Sequence, residues 1–282
     1  MKLIKTIAEM QQFSKSALRH RQKIGVVPTM GYLHEGHMSL VDMAHKLADV
    51  VIVTVFVNPT QFGPNEDLAK YPRDFDHDWS LCEKRGVDAV FAPEPEEMYC
   101  PDRSVWVTEE KLSRGLCGQS RPVHFRGVTT VVAKLFNATL PDVAVFGQKD
   151  AQQAMVIKRM TRDLNFPVEI VVAPIVREAD GLAMSSRNKY LSADERIRAL
   201  AISAALREAD AGIKTAGRKA LCGLAESISA KIAAASGRVD YVEALDADNL
   251  EPASESTRCL LIAAAAYFGA TRLIDNVIIN LD

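Results

Sequence analysis

The sequence predicts an α/β protein, with a Rossmann-like parallel sheet carrying helices on both faces and a smaller α+β C-terminal domain. Three observations carry that prediction. Short β-branched runs at 24–27, 50–57, 87–91, 143–146 and 169–172 alternate with amphipathic stretches of helical length at 39–48, 75–85, 128–139 and 151–164. Strands separated by such stretches are joined by crossovers and therefore pair in parallel. The texture changes after Pro174, and the length of 282 residues exceeds one average domain.

Each element has its own reason. The runs Ile24-Gly25-Val26-Val27 and Val50-Val51-Ile52-Val53 are apolar without alternation, the pattern of strands buried on both faces. The segments 87–91, 143–146 and 169–172 repeat it in shorter form. Beyond Pro174, Ser192 and Glu195 form a capping box for a helix through about Ala209, and an Ala-rich helix follows over 219–235. Two final strands, 239–245 and 258–266, complete the expectation. The predicted division is 1–175 for the Rossmann-like domain and 176–282 for a smaller C-terminal domain. No internal repeat or low-complexity tract is present.

Composition excludes several classes. Apolar residues make up 48% of the chain, ample for a packed core, and 34 Lys and Arg against 36 Asp and Glu leave a net charge of -2. That balance provides no basic field for nucleic acid. No apolar run approaches the ~20 residues a bilayer requires, so no membrane partner is expected. Five scattered cysteines without a Cys-x-x-Cys pair indicate reduced thiols and a cytoplasmic protein.

In open parallel sheets, ligands bind beyond the carboxyl ends of the strands. Here those positions are 28–37, 58–61 and 147–150, all polar and punctuated by Gly or Pro. The first reads Pro28-Thr29-Met30-Gly31-Tyr32-Leu33-His34-Glu35-Gly36-His37, a strand, a tight turn and a helix start. A spacing of three puts His34 and His37 on one face of the first turn. Free N–H groups and the positive end of the helix dipole are expected to attract phosphate there, with Gly36 permitting close approach. Two imidazoles can then stabilise charge on a phosphoryl group in transit. An isolated pair of this kind is more often two solvated histidines. A zinc site is disfavoured, because metalloprotease histidines lie four apart and no third ligand accompanies these two. No protein metal ligand is assigned.

With Pro28-Thr29-Met30-Gly31 in front, the pair resembles the HxGH signature of the nucleotidylyltransferase superfamily, and within it the pantoate–beta-alanine ligase family. Blocks along the whole chain agree in order: 56–62, 71–73, 124–128, 146–150, Gln152-Gln153, 180–188 and Leu273-Ile274-Asp275-Asn276. The resemblance implies a two-step reaction. Pantoate and ATP give pantoyl-adenylate and pyrophosphate, and beta-alanine then displaces AMP to give pantothenate. A free carboxylate resists amine attack, whereas a mixed anhydride carries a good leaving group.

The resemblance also implies roles. His34, His37, Lys149, Ser185, Ser186 and Arg187 are the expected catalytic set, with His37 a proton donor. ATP would be held by Met30, Gly31, Tyr32, Leu33, His34, Glu35, Gly36 and His37, and by Gly147, Gln148, Lys149 and Asp150. Val176 would meet adenine through its backbone, and Met184, Ser185, Ser186 and Arg187 would resemble a KMSKS-type loop. Gln61 and Gln153 would hold pantoate, with Gln61 also meeting beta-alanine; a neutral amide donates and accepts without adding charge. Arg121 and His124 resemble positions near the pocket. Magnesium is expected with ATP, and a homodimer is implied. The chain departs from the family pattern at Gln148, commonly Glu, and at Ala151, often aromatic. Segment 62–73 is expected to act as a lid that keeps the anhydride from water. Rival readings are a nucleotidylyltransferase with a phosphate acceptor, a tRNA ligase, and an inactive scaffold. The glutamine pair, the lack of a basic surface and the intact motifs argue against them respectively.

Overall fold

The computed structural model describes residues 1–64, 66 and 68–281. It divides into two compact units, residues 1–147 with 156–174, and residues 148–155 with 175–282. Segment 148–155 falls with the second unit, which a single break near 175 does not provide for.

In the first unit the elements run β1 (Lys2–Ile4), α1 (Ile7–Arg19), β2 (Ile24–Thr29), α2 (Glu35–His45), β3 (Val50–Val55), α3 (Phe75–Lys84), β4 (Ala89–Phe91), α4 (Pro95–Met98), α5 (Cys117–Ser120), α6 (His124–Thr139), β5 (Val143–Gly147), the part of α7 (Ala151–Asp163) from residue 156 on, and β6 (Glu169–Ala173). The six strands form one parallel sheet in the order β1-β4-β3-β2-β5-β6. β2 lies centrally, so the segment after it emerges mid-sheet, beside the exits of β3 and β5.

Both faces are covered, as the unalternating runs require. Val27, Val51, Val53, Val143 and Val145 share a core with Met38, Val41 and Ala44 of α2 and Cys82 of α3. Gly25 lets α2 approach: a Cβ there would lie 3.0 Å from the Ala48 Cβ. Helices α1 and α6 pack together and both touch β2. Burying one Val or Ile side chain contributes roughly 1.5–3 kcal/mol, so this two-faced core dominates the unit's stability.

The second unit contains α8 (Ala193–Ala216), α9 (Leu224–Ala234), β7 (Arg238–Asp246), β8 (Cys259–Phe268) and β9 (Thr271–Asn280). Its three strands are antiparallel in the order β7-β8-β9. Both helices contribute to one core with β8 and β9, through Ile202, Leu206, Ile228 and Ile232 against Leu260, Ile262 and Phe268. Ser192 caps α8 with Glu195 answering in a reciprocal capping box. Two strands and three helices escape the sequence prediction, among them the four-residue helices α4 and α5. β1 is only three residues long, α1 starts at Thr6 with Glu9 at N3, a start signal the sequence prediction does not use, and β9 follows β8 across the tight turn at Gly269, where φ is +57°. Among the described residues no helix is long and apolar enough to cross a membrane.

Candidate active site

The turn after β2 is built from special backbone geometry. Gly31 has φ +80° and Tyr32 φ +52°, both in the left-handed region. A Cβ on Gly31 would come within 2.9 Å of Asp78 Oδ2, so the position needs glycine on two counts. Asp78 of α3 holds the strained turn: Tyr32 N–H donates to its Oδ2 at 2.8 Å and Leu33 N–H to its Oδ1 at 2.6 Å. This carboxylate is 2% exposed, and burial raises its pKa above the ordinary 3.8 against the opposing pull of those two N–H donors. Nothing local in the sequence marks it, since an acidic residue in the first turn of a helix is ordinary.

His34 is the N-cap of α2 and His37 stands at N3. Gly36 N–H donates to His34 Nδ1 at 3.1 Å, and His34 N–H donates to His37 Nδ1 at 3.3 Å. The ring centroids are 4.1 Å apart. Because both Nδ1 atoms accept, each neutral ring carries its proton on Nε2. The expectation of free N–H groups at this helix start needs correction at every amide but that of Glu35. The amides of Gly31, Tyr32, Leu33, His34, Gly36 and His37 all donate within the turn, to Thr29 Oγ1, Asp78, the His37 ring, the His34 ring and the His34 carbonyl. The donors this turn can present to phosphate are therefore the Glu35 N–H and imidazole N–H groups. Leu33 sits in the core with its side chain 2% exposed, and Glu35 pairs with Arg85 at 2.5 Å on the surface.

Gln61, beyond β3, is 7% exposed and held from four directions. Asn58 Nδ2 donates to its Oε1 at 3.0 Å, and its own Nε2 donates to Met30 Sδ at 3.0 Å, which brings the β2 and β3 exits together. Its carbonyl accepts from Arg121 Nη2 at 3.3 Å and bonds the His124 ring at 3.1 Å. Gly127 of α6 lies so close that a Cβ there would be 2.5 Å from the Thr60 carbonyl oxygen and 2.6 Å from Gln61 N. Asn58 also accepts from Tyr99 Oη–H at 2.8 Å and from Thr60 N–H at 3.3 Å. Arg121 further pairs with Glu66 at 2.5 Å; burial opposes the charged Glu66, yet its bond to Arg121 and the nearby positive charges hold its pKa below the ordinary 4.5. The predicted lid is partly described: Phe62 and Tyr71 pack edge to face at 6.0 Å, while Asn65 and Asp67 lie outside the described residues.

Gly147 ends β5 beside β2, above Leu40 of α2. In the second unit, Gln148, Lys149 and Asp150 form one 3₁₀ turn that leads into α7, and Gln153 lies in the first turn of that helix. Lys149 Nζ stands 3.8 Å from Asp150 Oδ2. Ala151 is buried, so an aromatic side chain there would have to displace its surroundings. The structure brings Val176 and the predicted phosphate loop together, with Met184 N–H donating to the Val176 carbonyl at 3.0 Å. Ser185 caps the following 3₁₀ turn, its Oγ accepting from Arg187 N–H at 3.2 Å, so its hydroxyl proton is the group it can give a ligand. Ser186 and Arg187 begin that turn. Behind the loop, Glu178 accepts from Asn188 and Arg196, both at 2.5 Å, and Arg196 also reaches Asp180 at 2.7 Å. Among the described residues no group of three His, Cys, Asp or Glu side chains is placed to hold a metal ion.

A central parallel sheet ending in a paired-histidine turn and a neighbouring amide hub defines a nucleotide-using α/β enzyme of the Rossmann-like class. Comparison with known proteins narrows this. The family model described as pantoate-beta-alanine ligase matches residues 2–278. A pantothenate synthetase of Thermotoga petrophila is 54% identical over 280 residues, covering 99% of this chain and all of the relative, and one of Moorella thermoacetica is 53% identical over the full length of both. Among solved structures, a pantothenate synthetase from Thermus thermophilus has a TM-score of 0.91 at 42% identity, covering 98% of this chain and 99% of that one. A pantoate-beta-alanine ligase from Francisella tularensis, complexed with beta-gamma ATP and beta-alanine, has a TM-score of 0.81 at 34% identity, covering 99% and 97%. The chain belongs to the pantoate–beta-alanine ligase family, whose reaction is the ATP-dependent condensation that yields pantothenate.

Proposed function

We propose that this chain condenses pantoate with beta-alanine through a pantoyl-adenylate, with His34 and His37 serving the ATP phosphates. The observation that carries this is the pair of imidazoles at N-cap and N3 of α2, both accepting at Nδ1 and thus both donors at Nε2. In the first step a pantoate carboxylate oxygen attacks the α-phosphorus, a P–O bond breaks, and pyrophosphate leaves. Negative charge shifts onto the departing oxygens, where neutral N–H donors stabilise it without prior loss of a proton. In the second step the uncharged beta-alanine amine attacks the anhydride carbon, the C–O bond to AMP breaks, AMP leaves, and the new amide nitrogen gives up one proton. Gln61, fixed by Asn58, Arg121 and His124, suits the orientation of pantoate and of the incoming amine. Gln153 would share the pantoate contacts.

For the second unit the proposed roles are equally specific. Lys149, Ser185, Ser186 and Arg187 would bind phosphate oxygens, Val176 and Met184 the adenine side, and Gln148 and Asp150, with Gly147 of the first unit, the adenosine. Magnesium would arrive with ATP, held by phosphate oxygens and water, with Asp150 the nearest carboxylate on this turn. A cytoplasmic homodimer, and a lid over 62–73, complete the proposal; light scattering tests the first, and an ATP- and pantoate-independent proteolysis rate would argue against the second. The decisive assay is exchange of pyrophosphate into ATP. It should require pantoate, and adding beta-alanine should release AMP. Exchange without pantoate overturns the substrate assignment.

A further inference from the structure

The block Leu273-Ile274-Asp275-Asn276 has no role in the chemistry described so far, yet two of its members are buried polar side chains, Asp275 at 4% and Asn276 at 3% exposure. Consecutive residues on a strand project to opposite faces. Asp275 therefore reaches one segment and Asn276 another. Asp275 accepts a bidentate pair from Arg177, at 2.7 Å from Nη1 and 3.0 Å from Nη2. Asn276 Nδ2 donates to two consecutive carbonyls, Gln148 at 2.9 Å and Lys149 at 3.1 Å, while its Oδ1 accepts from Gln148 Nε2 at 3.2 Å. Opposite them on β8 stand Ala263 and Ala264, small enough to leave room for both side chains.

We infer that Asn276 is a positioning residue for Lys149, fixing the 3₁₀ turn from which that lysine extends; the inference rests on the proposed contact of Lys149 with ATP phosphate. An amide is the side chain that fits. Its two N–H groups answer two carbonyls and its oxygen answers one amide donor, so no buried polar atom of that group is left over. Aspartate would set lone pairs against both carbonyls, and alanine would leave them without a donor. Gln148 matches this arrangement as a donor, which a glutamate at the same place would not. Asp275 and Arg177 secure the neighbouring stretch by a charged fork, so two adjacent residues of β9 anchor the segments carrying Lys149 and Val176.

The test is a double-mutant cycle on pantoate-dependent pyrophosphate exchange, with Asn276→Ala, Lys149→Ala and the pair. Asn276→Ala should lower kcat/KM for ATP roughly tenfold or more, since an ångström of misplacement is enough for up to ~100-fold. The KM for pantoate should hold, and so should the rate at which beta-alanine consumes supplied pantoyl-adenylate. The double variant should be no slower than Lys149→Ala, because a residue acting through the lysine has nothing left to position. Multiplying penalties, or an unimpaired Asn276→Ala enzyme beside an impaired Lys149→Ala enzyme, would overturn the inference. An unimpaired Lys149→Ala enzyme instead removes the lysine from the proposed chemistry and takes the inference with it. Should alanine prevent folding, Asn276→Ser keeps a small polar group without the reach to both carbonyls and carries the same expectations.

Discussion

Replacing Gly127 with alanine perturbs the site by a distance that the structure supplies. The added methyl would sit 2.5 Å from the Thr60 carbonyl oxygen and 2.6 Å from both N and Cα of Gln61, all backbone atoms that cannot rotate away. Relieving the shortest approach to an ordinary 3.4 Å contact requires about 0.9 Å of separation (3.4 less 2.5), shared between α6 and the segment after β3. In an open helix the same change would add roughly 0.5–1 kcal/mol of stability. Here overpacking reverses the sign, to a loss of about 1–3 kcal/mol. Displacing Gln61 by most of an ångström should cost up to ~100-fold in the adenylation rate. Pyrophosphate exchange at varied pantoate and at varied ATP separates the effects: the KM for pantoate should rise while that for ATP holds. A Gly127→Ala enzyme with ordinary stability and an unchanged KM for pantoate would refute the claim that this close approach sets Gln61 in place.

Glu66→Gln should alter the acid limb of stability. Its folded pKa is lowered, so the Arg121 pair contributes above the ordinary 4.5 and the contribution is lost as pH falls through the folded value. Urea midpoints from about pH 7 to about pH 3 should show wild type ahead at the upper end and converging with the variant below; a constant gap contradicts the linkage. Asp78 has the opposite sign, its raised pKa making the ionised carboxylate a cost that grows as pH rises from 3.8 through the folded value. Asp78→Asn removes that cost but leaves one of the Tyr32 and Leu33 N–H groups unanswered, a penalty of about 1–3 kcal/mol; adenylation slower than wild type with a flatter pH profile of stability is the expected result, and an unaltered rate contradicts the role given to this carboxylate.

The sheet of the first unit was legible because strands buried on both faces cannot alternate, so 24–27, 50–57 and 143–146 announce themselves as apolar runs between helical stretches. β9 was not, because it alternates weakly and carries Asp275 and Asn276 at positions where a strand reader expects core. The paired histidines were legible from their spacing, and the positions after the strands from the sheet rule. What holds them was not. Asp78, Asn58, Gly127 and Asn276 act across 46, 3, 66 and 127 positions of chain on Tyr32, Gln61, Gln61 and Lys149. Except for Asn58 beside its partner, no local pattern can encode such pairings, since they exist only once the strands have been ordered.

The use of the turn's amides sharpens what the histidines must do. In glycine-rich phosphate loops the backbone N–H groups themselves cradle the anion. Here those of Tyr32 and Leu33 go to Asp78, and those of His34 and Gly36 go to the two rings. On the proposed function His34 would have two separable duties, the cap through Nδ1 that the turn shows and a phosphate donor through Nε2. Alanine removes both; asparagine, a strong N-cap residue, restores the first alone. His34→Ala should lose about 0.5–2 kcal/mol of stability together with adenylation rate, and His34→Asn should recover the stability while staying slow. Thermal unfolding and pyrophosphate exchange on the two variants settle the matter. If asparagine restores the rate along with the stability, the ring was only a cap, and the donors for the triphosphate must be sought elsewhere.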